Sequence, residues 1–161
     1  MRPATLILGL GNPLRGDDGV GPRVVEELNR RGLPDGVIAV DGGTGGLDLF
    51  RLLERRKRVV IVDAADLGRE PGQFARLTRD QMRLVMSDQR FSLHHAGLGE
   101  VLDLADALEL ALPEMVIFGV QPAEINWGEG LTPAVEAAVP ALTDALFEEI
   151  EGDNDAQDLG N

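Results

Sequence analysis

Four short apolar segments constrain this chain most: Thr5 to Leu10, Val37 to Asp41, Arg58 to Ala64 and Met115 to Val120. None alternates polar with apolar residues as a half-solvated strand would, so each reads as a strand buried on both faces. Each meets Gly, Pro or Asp within two residues of its end, which is strand-end chemistry. A weaker segment, Gln73 to Leu77, follows the turn signal Pro71-Gly72 and is expected at a sheet edge. Helical patterns fill the intervals. Val20, Val24 and Leu28 share one face of a helix that begins near Asp18, with Pro22 in its tolerant first turn. Leu47 to Arg55 forms a further helix, and Leu98, Val101, Leu102, Ala105 and Leu108 mark another from about His95 to Leu110. Thr132 and Pro133 supply an N-cap and a first-turn proline for a last helix, which runs to about Glu151 and is kinked at Pro140. Strands alternating with helices predict an α/β fold: a largely parallel sheet covered on both faces, with sites beyond the carboxyl ends of the strands.

At 161 residues the chain fits one domain, able to bury roughly 70% of its unfolded surface. Residues 1–151 are expected to form it, and residues 152–161 to be an acidic, mobile tail. Cysteine is absent, which excludes a disulfide framework, a thiolate metal site and a cysteine nucleophile, and makes the cytoplasm the expected compartment. A net charge of −13 repels phosphate backbones and anionic membranes, so nucleic acid is not an expected partner. No apolar run approaches the ~20 residues that span a bilayer, so no membrane insertion is expected.

The chemistry gathers at the strand ends. Gly9-Leu10-Gly11-Asn12 resembles the start of a dinucleotide fingerprint, but Leu14 stands where its last glycine belongs. Asp17 and Asp18 then occupy the helix N-terminus that a pyrophosphate would need. For Asp17 the expected role is a plain helix cap; Asp18 is a cap or a ligand. Asp63 ends the run Val59-Val60-Ile61-Val62, where a carboxylate leaves the core for the crevice or starts a turn. Asp41, before the glycine-rich loop Gly42-Gly43-Thr44-Gly45-Gly46, has the same placement. The two histidines, His94 and His95, are adjacent, so on a helix they diverge by about 100° and would not serve one metal together. Periodicity does not choose between them. Asp18, Asp63 and one histidine would offer two carboxylates and one imidazole, a donor set for a divalent transition ion with positions left open. Ser87 and Ser92 lie in no nucleophile elbow, and no His-Glu-x-x-His occurs. Trp127, the sole tryptophan, is expected to be partly buried.

Read together in order and spacing, several of these pieces resemble one family, the hydrogenase maturation endopeptidases. They are Gly9-Leu10-Gly11-Asn12 with the acid at Asp18, Asp41-Gly42-Gly43-Thr44, Asp63-Ala64 before Pro71-Gly72, Ser92-Leu93-His94-His95-x-x-Leu98, Gly119-Val120-x-Pro122 and Gly130-Leu131-Thr132-Pro133-x-Val135. The resemblance implies a three-layer α/β sandwich with a twisted, mostly parallel five-stranded sheet and helices on both faces. It also implies an endopeptidase that removes the C-terminal extension of a [NiFe] hydrogenase large-subunit precursor after nickel insertion, the nickel being presented by the precursor and bound transiently. By position the metal-contacting residues are then Asp18, Asp63 and His94, and Asp41 is the candidate for the attacking base. Some family members carry Glu where this chain has Asp18. The alternative is a non-catalytic nickel-sensing or delivery module built on the same three residues. Gly9 to Pro13 also resembles the opening of peptidyl-tRNA hydrolases, but no histidine precedes position 94 and the charge opposes RNA.

Overall fold

A computed structural model describes residues 3–43, 48–86 and 95–158. It contains five strands, β1 (Thr5–Leu10), β2 (Val37–Gly43), β3 (Arg58–Ala64), β4 (Phe74–Thr78) and β5 (Glu114–Val120). The helices are α1 (Val20–Arg31), α2 (Leu49–Leu53), α3 (Arg79–Met86), α4 (His95–Ala107) and α5 (Pro133–Asp158), and a 3-10 turn (Gly16–Gly19) leads into α1. The strands form one sheet in the order β2-β1-β3-β5-β4. The pairs β1–β2, β1–β3 and β3–β5 are parallel, and only the edge pair β4–β5 is antiparallel.

Strand alternation sends successive side chains to opposite faces, and each face has its own core. Ile7, Val60, Val62, Phe118 and Val120 pack with Val20, Val24 and Leu28 of α1 and Val135, Val139, Leu142 and Leu146 of α5. Leu6, Leu8, Leu10, Val59, Ile61 and Ile117 pack on the other side with Leu49 and Leu53 of α2, Met82 of α3, and Val101 and Leu102 of α4. The three-layer sandwich expected from the sequence is therefore the fold. An ion cluster ties α5 to the base of the sheet: the buried Arg58 and the exposed Arg76 both bond the Glu149 carboxylate, with Arg76 Nε at 2.7 Å, and Arg58 Nη1 donates to the Glu149 carbonyl at 3.1 Å. These bonds, Arg76 foremost, hold the Glu149 pKa below the ordinary carboxylate value.

Three local differences from the sequence expectations have physical causes. Helix α3 is one that the apolar spacing does not announce. Its start is a capping box, in which Gln81 N–H donates to Thr78 Oγ1 at 3.3 Å while Thr78 N–H donates to Gln81 Oε1 at 2.9 Å. Helix α5 continues to Asp158, past the expected end near Glu151, because Gly152 alone does not stop a helix that no proline terminates. Strand β2 reaches Gly43 because the β1 ladder shifts register between Gly9 and Leu10, and Gly11 N–H then bonds the Gly43 carbonyl at 2.8 Å.

Candidate active site

The connection after β1 leads through α1 to β2, whereas β2 leads through α2, on the opposite face, to β3. The chain thus departs in different directions from the neighbouring strands β1 and β3. A crevice opens at such a switch point, beyond the carboxyl ends of the strands. Asp18 stands on the turn that follows β1, and Asp63 is the penultimate residue of β3.

Close backbone packing brings the Asp18 turn onto the strand end. Gly11 has φ +132°, and a Cβ there would lie 1.9 Å from the Asp18 carbonyl oxygen. At Gly21 a Cβ would meet the Leu10 carbonyl oxygen at 2.3 Å and the Val62 carbonyl oxygen at 2.7 Å. These glycines let backbone meet backbone where a dinucleotide fingerprint would seat a phosphate. Asp18 is fully buried, and its Oδ2 accepts the N–H of Asn12 at 2.9 Å. It therefore fastens its turn to the loop after β1 and does not cap α1, which has no side-chain cap.

Asp17 departs further from its expected role. In place of capping a helix it reaches across the fold, fully buried. Its Oδ2 accepts Ala123 N–H at 2.8 Å and Glu124 N–H at 3.1 Å, and its Oδ1 accepts Thr132 N–H at 2.7 Å. The Thr132 hydroxyl donates to the same carboxylate at 2.7 Å. One carboxylate thus joins the turn, the loop after β5 and the entry to α5. Its donors lie more than a hundred positions away in sequence, so no local pattern could reveal them. The two loops are also zipped along their backbones: Gly16 N–H donates to Gly128 O at 2.9 Å, Gly128 N–H to Leu14 O at 2.8 Å and Asp17 N–H to Glu124 O at 3.0 Å.

Asp63 is half-buried and pairs in register with Gly119 of β5. By alternation its side chain shares the face of Val59 and Ile61, the one covered by α2, α3 and α4. Asp41 ends up elsewhere. It pairs with Gly9, is exposed, and its Oδ1 accepts Gly43 N–H at 2.8 Å. Two strand spacings, roughly 10 Å, separate its strand from that of Asp63. It borders a cleft of about 590 Å³ on the α1 and α5 face, which runs from Gly16 and Gly19 of the Asp18 turn past Pro22 and Glu26 to Asp41. The structure therefore places Asp18 and Asp63 at the same end of the sheet, on the turn after β1 and at the end of the neighbouring β3, and sets Asp41 at the end of a cleft leading from the Asp18 turn. His94 lies outside the described residues, and α4 starts at the residue after it. Among the described residues no three His, Cys, Asp or Glu side chains are grouped to hold a metal.

Trp127, expected to be partly buried, is 77% exposed, with the Arg15 guanidinium over its ring at 5.2 Å from the centroid. Among the described residues no helix is long and apolar enough to cross a membrane.

Comparison with known proteins agrees with this architecture. A family model for hydrogenase maturation proteases matches residues 22–149. The chain is 40% identical over 141 residues to the hydrogenase expression/formation protein HupD of Bradyrhizobium diazoefficiens, covering 86% of this chain and 73% of that one. It is 34% identical over 143 residues to the hydrogenase 2 maturation protease of Escherichia coli, covering 88% and 87%. The hydrogenase-maturating endopeptidase HybD from E. coli superposes with a TM-score of 0.83 at 31% identity, over 95% of this chain and 94% of that one. The chain belongs to the hydrogenase maturation protease family and is a peptidase.

Proposed function

We propose that this peptidase removes the C-terminal extension of a [NiFe] hydrogenase large-subunit precursor in the cytoplasm, and that it does so once nickel has been inserted into that precursor. The observation that supports the reading is that Asp18 stands on the turn after β1 and Asp63 at the carboxyl end of β3, the two neighbouring parallel strands at the switch point. Two carboxylates there, joined by His94 from the segment leading into α4, make a donor set of oxygen and imidazole nitrogen suited to a divalent first-row ion. The nickel belongs to the client. Asp18, Asp63 and His94 grip it transiently, so that the client's chain is held in a fixed orientation beside the protease.

The cleft that starts at the Asp18 turn gives that chain a path. A client segment gripped at the nickel and crossing the turn passes Asp41, whose exposed carboxylate takes the proton as water adds to the scissile carbonyl. The peptide C–N bond then breaks, and the departing amine takes up a proton. A protonatable carboxylate outside the grip suits this step, because a tightly held ligand is not free to act as a base.

The test is to incubate the protein with nickel-loaded and nickel-free precursor and follow the precursor mass. Loss of the extension from the loaded form alone is expected. Asp18→Ala, Asp63→Ala and His94→Ala should abolish both cleavage and nickel-dependent association, whereas Asp41→Asn should abolish cleavage and leave association intact. Equal trimming of the nickel-free precursor would overturn the reading.

A further inference from the structure

Trp127 is the largest apolar side chain in the protein, yet 77% of it faces solvent, and Leu14 on the adjoining loop is 50% exposed. A tryptophan on a floppy loop would mean little, but this one stands on a rigid mount. The backbone zipper between residues 14–17 and 124–128 fixes its loop, the Asp17 carboxylate bonds Ala123, Glu124 and Thr132 around it, and Arg15 stacks on one face of the ring. Leaving an indole ring in water forgoes its burial, and the half-buried Arg15 beneath it holds the ring in place. Both residue types dominate the energetic centres of protein interfaces.

The mount is also continuous with the active site. Arg15 lies three residues before Asp18 and bridges to Gly128, so the Trp127 loop forms a rim of the turn that carries Asp18. A macromolecular client that reaches Asp18 must cover that rim. We propose that Trp127, backed by Arg15, is the anchor that docks the folded precursor of the peptidase reaction and sets its affinity. The inference rests on the function proposed above. Glu124 and Glu129, both exposed, lie within three residues of Trp127 on a chain of net charge −13. The fitting surface is therefore an apolar pocket for the free face of Trp127, bordered by Lys or Arg side chains. The same clamp that presents the ring holds the Asp18 turn, so docking and metal grip share one rigid unit.

The test compares the full-length wild type with Trp127→Ala, Trp127→Phe and, at another exposed position, Leu84→Ala. Cleavage kinetics on nickel-loaded folded precursor are measured together with direct binding of that precursor and the sedimentation of the protease alone. Trp127→Ala should raise KM and Kd roughly thirtyfold with kcat within about twofold. Trp127→Phe should recover most of the loss, and Leu84→Ala should match wild type. An unchanged KM and Kd for Trp127→Ala would overturn the anchor, as would a wild-type dimer that this variant converts to monomer, since the ring would then pack on a second copy. If the wild type binds the precursor without cutting it, the functional reading fails while the binding arm still decides the anchor.

Discussion

Replacing Gly11 by alanine probes the geometry that places Asp18. The new Cβ would lie 1.9 Å from the Asp18 carbonyl oxygen and 3.7 Å from its carboxyl carbon, at a φ of +132° that L residues rarely adopt. Two costs add. Strained backbone contributes about 1–3 kcal/mol, and displacing a tightly packed neighbour about 1–3 kcal/mol. A loss of about 4 kcal/mol corresponds to a fall in Tm of roughly 8–16 °C for a chain of this size. Gly36 is the control, with φ +83° and no heavy atom within 4 Å of the place a Cβ would take. Gly36→Ala meets only the backbone cost, about 1–2 kcal/mol, and should cut the precursor at the wild-type rate. Thermal melts of both variants, with cleavage assayed at a temperature where both remain folded, separate stability from site geometry. Gly11→Ala should lose cleavage although folded, because the Asp18 turn has been pushed off the strand end. Equal melting losses for the two variants, or full cleavage by Gly11→Ala, would refute the claim that close approach at Gly11 sets the position of Asp18.

Two further outcomes follow from the carboxylates that the fold engages. Asp17→Ala strands the N–H groups of Ala123, Glu124 and Thr132 and should destabilise the fold by about 3–5 kcal/mol in urea unfolding, with Trp127 fluorescence changing before the global transition. Glu27 is held at a pKa of about 2, chiefly by its hydrogen bonds to Arg30 and Arg31, and Glu149 is held below 4.5 by Arg76 and Arg58. Both folded-state values lie below the unfolded ones, so these groups add stability above about pH 4.5 that disappears as pH falls toward 2. Unfolding free energies measured from pH 7 to pH 2 should decline steeply across that window, and the double variant Glu27→Gln/Glu149→Gln should be less stable at pH 7 with a flatter decline.

The parallel core of the fold can be read from the residues because β1, β3 and β5 are continuous apolar runs closed by Gly or Asp, and burial on both faces leaves no other way to hide them. Asp63 is visible for the same reason, as a charge interrupting such a run at its carboxyl end. Helix α3 escapes notice although its signal, Thr78 followed three positions later by Gln81, is local. The missing cue is a break, since no glycine or proline separates β4 from it. The role of Asp17 is not legible at all. An acid before a helix ordinarily caps it, and only the folded backbone brings residues 123, 124 and 132 to its oxygens. Trp127 misleads for the opposite reason: apolar character predicts burial on average, and an exposed tryptophan reflects what a surface is for more than how it folds.

The central claim is that side chains from three separated segments share one ion. Nickel-edge anomalous diffraction from crystals of the protein soaked in nickel chloride tests it directly. The account predicts one peak at the carboxyl ends of β1 and β3, within coordination distance of a carboxylate oxygen from Asp18, one from Asp63 and an imidazole nitrogen of His94. A peak held by other residues, with those three side chains pointing into separate pockets, would contradict it.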